Sequence, residues 1–280
     1  MTTSRRRLVA ITAAATLAGL ATLGAAGGVL VLYGGFYNVA STRSHFQWVH
    51  SLLELGMQRS VRHHARDIVP PPANPQLAAR GAGLYRDNCV TCHGAPGVAQ
   101  SDIGQSMQPV PGPLADAARR WHPNELYWIT RHGIKMSGMP AWEYHLSDDD
   151  IWAVVAFLAA LPALSPQAYA ALLEQAGHPQ RGARPAHAQA DARRGHLALS
   201  QYACNACHRI PGVTGPDTLV GPPLRDLSKR QYIAGGLPNN ADNLAQWVRD
   251  PQRIRPHSAM PAMGVTESDA RDIAAYLLQP

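Results

Sequence analysis

The chain has 280 residues, a formal charge of +6 and four cysteines. That length suits one or two domains with additional segments, and the long Val/Ile alternation of a β-rich fold is missing. Without Arg5, Arg6 and Arg7 the balance is 22 Lys+Arg against 19 Asp+Glu, too near neutrality to argue for nucleic acid as a partner.

Residues 8–42 contain no Asp, Glu, Lys or Arg. The apolar part, 8–36, exceeds the ~20 residues that span a bilayer, and three arginines before it place the N-terminus in the cytoplasm. The rest of the chain then lies across the membrane. A cleaved signal peptide is the rival reading, with Gly24-Ala25-Ala26 as small residues for cleavage. The apolar run continues through Gly27–Tyr33, beyond the ~7–15 residues of a signal core, so a retained anchor is favoured. In residues 46–69, Val49, Leu53, Met57 and Val61 recur every four positions while Arg59, Arg62 and His63 fall elsewhere on the wheel, predicting an amphipathic helix. It either lies on a membrane or partner surface or forms a stalk against the unit that follows. Pro70-Pro71-Pro72 ends it.

A first unit covers 76–161. A helix over Gln76–Asn88 runs into Cys89-Val90-Thr91-Cys92-His93. A Gly/Pro-rich stretch with a short helix around Asn124–Arg131 follows. The last helix, Ile151–Leu161, opens with Ser147 three residues before Asp150, the pattern of a capping box. Residues 162–190, rich in Ala, Pro and Gln, read as a semi-rigid linker with one short helix at 167–176. A second unit, 191–280, repeats the order: a helix into Cys204-Asn205-Ala206-Cys207-His208, a Pro/Gly loop at 211–223, a helix near Ala241–Arg249, and a final helix opened by Thr266 with Asp269. The repeat is one of order rather than close identity.

The two Cys-x-x-Cys-His pentapeptides use every cysteine in the chain. The pattern reads as covalent c-type haem attachment, two thiols taking the vinyl groups and the histidine the iron. A zinc ribbon needs its pairs ~15–20 residues apart, whereas more than a hundred separate Cys92 from Cys204. Neither motif follows a strand-like run, as a thioredoxin-like site would, and disulfides would leave His93 and His208 unexplained. Ser4-Arg5-Arg6 faintly matches a twin-arginine signal, but that route carries folded proteins and haem c is attached after export. Two haems add about four propionate charges, bringing the exported part near −1.

Each unit carries a methionine before its final helix, Met139-Pro140-Ala141 and Met260-Pro261-Ala262. Thioether is a soft axial ligand that raises haem potential, and the proline restrains the adjoining backbone. Met139 and Met260 are therefore the expected partners of His93 and His208, with Met136 and Met263 as competitors and Met107 as a packing residue. His122, His132, His145 and His257 are weaker alternatives.

Cys-x-x-Cys-His, a long Gly/Pro loop, Met-Pro and an aromatic-bearing final helix together resemble class I c-type cytochrome domains, over 76–161 and 191–280. The resemblance implies a mainly α fold with an N-terminal transmembrane helix and two tandem class I cytochrome c domains holding two covalently bound haem c groups. It implies close crossing of the first and last helices: Gly81 or Gly83 with Trp152 or Phe157, and Gly195 or Ala198 with Tyr276. It also implies a loop proline whose carbonyl accepts the proximal imidazole N–H: Pro222 for His208, and Pro113, with Pro111 close behind, for His93. The layout resembles membrane-bound cytochrome c subunits that feed bacterial terminal oxidases or serve membrane dehydrogenases. The expectation is a single-pass protein of the inner (cytoplasmic) membrane, its haem domains on the periplasmic side. It would contact the lipid bilayer and a respiratory membrane complex and would carry electrons rather than catalyse a reaction. A dihaem peroxidase would need an iron with an open coordination site, and a sulfur-oxidising enzyme a spare cysteine. A docking or assembly subunit is the remaining alternative.

Overall fold

The computed structural model describes residues 2–280 apart from Ala73, Ala183 and Leu219, which lie after the triple proline, in the linker and in the second unit's proline-rich loop. Helix α1 (Thr2–Gly34) is exposed along its described length. Its stretch Ser4–Gly34 is the one candidate membrane span among the described residues. At 1.5 Å per residue it is about 45 Å long, more than the ~30 Å hydrocarbon layer. The Thr12 and Thr22 hydroxyls donate to the carbonyls of Leu8 and Ala18, so these polar groups are satisfied within the helix, as an apolar surrounding demands.

Helix α2 (Gln47–Ala65) is divided along its length. Trp48, Leu52, Leu53 and Leu55 are exposed, while Val61 and Ala65 are buried. The buried end is held on the first unit, where Asn124 Nδ2 donates to the Ala65 carbonyl at 2.9 Å. Arg62 lies 3.7 Å from Glu125, and His64 stacks on Trp128. The second half of the helix thus occupies the stalk position.

In unit one, α3 (Pro75–Asn88), α4 (Pro123–His132) and α5 (Asp148–Ala160) enclose a core of Leu84, Tyr85, Ile151, Val154 and Phe157. The Asn74 side chain caps α3 and Ser147 caps α5, each satisfying an orphan amide of its first turn. The crossing of α3 and α5 is set by Gly81, where a Cβ would sit 1.9 Å from the Ala153 carbonyl oxygen and 3.0 Å from Phe157 Cβ. Gly83 instead faces the linker, against Ala176 and Pro179. The linker is not a free tether: α6 (Pro166–Ala176) lays Tyr169 beside Phe157, ring centroids 5.8 Å apart.

Unit two contains α7 (Ala192–Gln201), a two-residue antiparallel pair β1 (Tyr232–Ile233) and β2 (Leu237–Pro238), then α8 (Ala241–Arg249) and α9 (Glu267–Leu277). The hairpin has no alternating signature, being too short to show a period of two. Gly195 repeats the role of Gly81, its absent Cβ falling 2.0 Å from the Asp272 carbonyl oxygen. The crossing partner is therefore Asp272, and Tyr276 packs one turn along, on the ring of His196 at 5.2 Å.

Candidate haem-binding sites

In unit one, α3 delivers Cys89 at its C-terminus, and a tight turn does the rest. The amides of Cys92 and His93 both donate to the Cys89 carbonyl, at 3.1 and 3.0 Å. The buried Tyr85 hydroxyl donates to the Gly94 carbonyl at 2.7 Å, tying the end of the motif back to α3. Unit two makes the same turn, with Cys207 and His208 donating to the Cys204 carbonyl. Here one more residue lies between the crossing glycine and the first cysteine. The chain absorbs it at Ala203, which adopts φ +53°. Tyr276 and His196 replace Tyr85, donating to the carbonyls of Pro211 and Gly212.

A cavity of ≈ 760 Å³ including its open mouth lies beside the first motif. Its walls bring together Cys89, Cys92, His93 and Met139, residues up to fifty positions apart, with apolar cover from Leu114, Trp142 and Leu158. Apolar lining and a thiol–thiol–imidazole–thioether set fit one covalently held haem. The competing Met136 is 99% exposed, and Met107 packs its Cε against Gly138 of the cavity wall. His122, His132, His145 and His257 are not among the residues lining this cavity.

Each motif histidine donates from Nδ1 to a loop carbonyl, leaving Nε2 free for iron. His208 uses Pro222 at 2.8 Å. His93 uses Gly112 at 2.8 Å, not Pro113 or Pro111 as the family pattern implied. In Pro111-Gly112-Pro113 the residue turned toward the imidazole is the glycine between the prolines, because Gln100 Nε2 holds the neighbouring carbonyls of Cys92 and Pro111. In unit two backbone bonds do this, Gly221 to Cys207 and Leu224 to Arg209. Gly221 lets the loop approach, since a Cβ there would sit 2.5 Å from His208 Cε1. Such a second bond fixes the ring and raises its basicity.

The methionine loops share a device that the sequence reading did not single out. The amides of Met139 and Met260 each donate to a serine hydroxyl two residues earlier, Ser137 and Ser258, both at 3.2 Å. The signal was present as a longer repeat, Ser-x-Met-Pro-Ala, in both units. The methionine carbonyls are also held, that of Met139 by the Ile134 amide and that of Met260 by Gln252 Nε2.

Burial pushes the Cys89 thiol up to about 12 and the Cys204 thiol to about 11, the second thiol of each motif adding to the effect. Both first cysteines are therefore protonated in the free chain. A buried carboxylate stands in the first turn of each final helix, Asp150 in α5 and Asp269 in α9. Burial raises the Asp150 carboxyl, but hydrogen bonds from Arg80, the Gly182 amide and Ser147 outweigh it and the net shift is down. Asp269 is likewise lowered on balance, Arg184, Thr266 and Tyr202 overcoming burial.

Comparison with known proteins follows the same division. Residues 76–158 match the family described as cytochrome c oxidase, cbb3-type, subunit III, and residues 171–279 match the cytochrome c family. The chain is 38% identical over 87 residues to cytochrome c oxidase subunit 2 of Alkalihalophilus pseudofirmus, covering 31% of this chain and 25% of that protein. It is 33% identical over 99 residues to the cbb3-type cytochrome c oxidase subunit FixP of Rhizobium meliloti, covering 34% of this chain and 31% of that one. These matches thus span only a quarter to a third of each relative's length. No solved structure matches. The chain carries two tandem cytochrome c domains, and such domains imply covalently bound haem c.

Proposed function

We propose that this chain, which resembles the membrane-anchored dihaem c-type cytochromes built from two cytochrome c domains, is a single-pass carrier of electrons to a respiratory membrane complex. The observation that carries the reading is the gathering of Cys89, Cys92, His93 and Met139 around one apolar cavity, with the same motif and methionine loop repeated in unit two. Cys89, Cys92, Cys204 and Cys207 would hold the two haems, with His93 and Met139 as ligands to the first iron and His208 and Met260 to the second. Gly112 and Pro222 orient the imidazoles. When bound, haem supplies a reversible one-electron couple. The histidine and methionine of each unit would serve its iron, Leu114, Trp142 and Leu158 would keep water from the first haem, and no side chain would make or break substrate bonds.

The likeness to oxidase subunits supports a terminal oxidase as the complex served, with a membrane dehydrogenase as the other candidate. Helix α1, with Arg5–Arg7 at its N-terminal end ahead of the apolar run, supports the inner membrane with both domains on the periplasmic side. Tethering raises the effective concentration of the carrier near integral partners.

Replacing Met139 or Met260 by alanine tests the assignment. Each variant is expected to weaken the far-red methionine–iron absorption and to lower the potential of one haem only. Spectra and redox titrations unchanged in both variants would refute the axial roles.

A further inference from the structure

The two units are joined by more than the linker. Tyr144 follows the Met139 loop in unit one, yet it is buried in the core of unit two with Ala198, Tyr202 and Ile273. Its hydroxyl donates to the Arg194 carbonyl at 3.3 Å. Arg184 of the linker lies over the Tyr144 ring, 4.7 Å from its centroid, and makes two hydrogen bonds to the buried Asp269, at 2.8 and 3.0 Å. Tyr202 donates to the same carboxylate at 2.7 Å. One ion pair, one cation–π contact and one inserted aromatic ring therefore lock the segment after Met139 against the segment before Cys204.

The lock brings a row of rings into contact. Trp142 lines the first haem-binding cavity. Its ring meets His145 edge to face at 6.2 Å, and His145 meets Tyr202 edge to face at 6.3 Å. Tyr202 is two residues before Cys204, the first cysteine of the second attachment turn. Burial lowers the His145 imidazole, and the nearby Arg181 and Arg184 lower it further. The ring is thus neutral at pH 7.

We infer that Trp142, His145 and Tyr202 form the bridge by which an electron crosses between the two haem-binding sites, held in register by Tyr144 and Arg184. The inference rests on the carrier reading. Tunnelling decays more slowly through atoms in contact than across a solvent gap, and this row is continuous from the wall of one site to the attachment turn of the other. One electron leaves one iron, which is oxidised, and reaches the other, which is reduced. No bond changes, no proton moves and none of the three rings is itself oxidised. His145 is the exposed member and the one through which both neighbours touch, so it is the place to cut.

The test uses the full chain with both haems attached. A light flash delivers less than one electron per chain. Exchange between sites is followed where their difference spectra, taken from the equilibrium titration, are distinct. His145→Ala is expected to slow the exchange while leaving spectra, potentials and the solution scattering profile unchanged. His145→Phe restores a ring and should recover most of the rate. Tyr232→Ala removes an exposed aromatic from the hairpin, away from the bridge, and should have no effect. A wild-type rate in His145→Ala, no recovery in His145→Phe, or no exchange phase in the unaltered chain would overturn the bridge. Failure of the carrier reading has a different signature, a reduced iron that takes up carbon monoxide, and does not depend on the exchange rate.

Discussion

The two units solve one construction problem with different parts. Each crosses its outer helices at a glycine, closes a Cys-x-x-Cys-His turn on the first cysteine's carbonyl and steadies a methionine loop with a serine. They part where each final helix begins. Asp150 in unit one is paired with Arg80 from its own first helix, and the Gly182 amide adds a 2.6 Å bond. Asp269 in unit two draws its guanidinium from Arg184, outside the unit, and its core draws Tyr144 from unit one. Asp150 thus takes its cation from its own unit and Asp269 from the linker, while the second buried carboxylate of α9, Asp272, is paired within unit two by Arg194.

That contrast can be broken at its charges first. Arg184→Leu leaves Asp269, 2% exposed, without its cation. It should destabilise unit two by about 3 kcal/mol, seen as faster amide exchange in α9 while α5 is little changed. Arg80→Leu leaves Asp150, 0% exposed, without its cation and should cost about 3 kcal/mol in unit one instead, seen as faster amide exchange in α5 while α9 is little changed. Losses falling on the same unit in both variants would contradict these pairings.

Acid sharpens it next. Both carboxyls have folded pKa values below the unfolded ~3.9. Their stabilisation is therefore fully present above pH ~4 and is lost as pH falls through the folded values. Circular dichroism against pH should show the helices holding to below pH ~4. In Arg184→Leu, burial acts on Asp269 with less opposition, so unit two should lose helix at higher pH than in the unaltered chain. An acid profile unmoved by that substitution would contradict the pairing.

The smallest expected effect lies in the methionine loops. Ser137→Ala or Ser258→Ala removes one hydrogen bond to an amide, a change of about 1 kcal/mol. It should make the methionine–iron bond of that site more labile to added imidazole without abolishing it. An imidazole affinity unchanged in both variants would reduce the serines to bystanders.

How much of this was legible beforehand follows from the range of each interaction. The long helices were visible because caps and apolar spacing are local: Ser147 with Asp150 and Thr266 with Asp269 marked where α5 and α9 begin. Gly81 with Phe157 stood among the expected crossing pairs, but the closest approaches, to the carbonyl oxygens of Ala153 and Asp272, are not found by looking for aromatics. The Gly112 carbonyl was missed because the proline pattern carried over from a family does not encode Gln100, whose side chain turns that loop. Ala203 and its positive φ left no trace beyond one residue of extra spacing. Least legible was the interface. Tyr144 reads as an ordinary aromatic, and nothing local says that it belongs to the other unit's core.

The central claim is that both irons are closed by a histidine and a methionine and serve only to pass electrons. A spectroelectrochemical titration of the purified full chain, with carbon monoxide added to the reduced form, addresses it most directly. The account predicts two high-potential one-electron couples, a far-red methionine band from each site and no carbon monoxide adduct. A site that readily binds carbon monoxide, or a single couple with one methionine band, would contradict it.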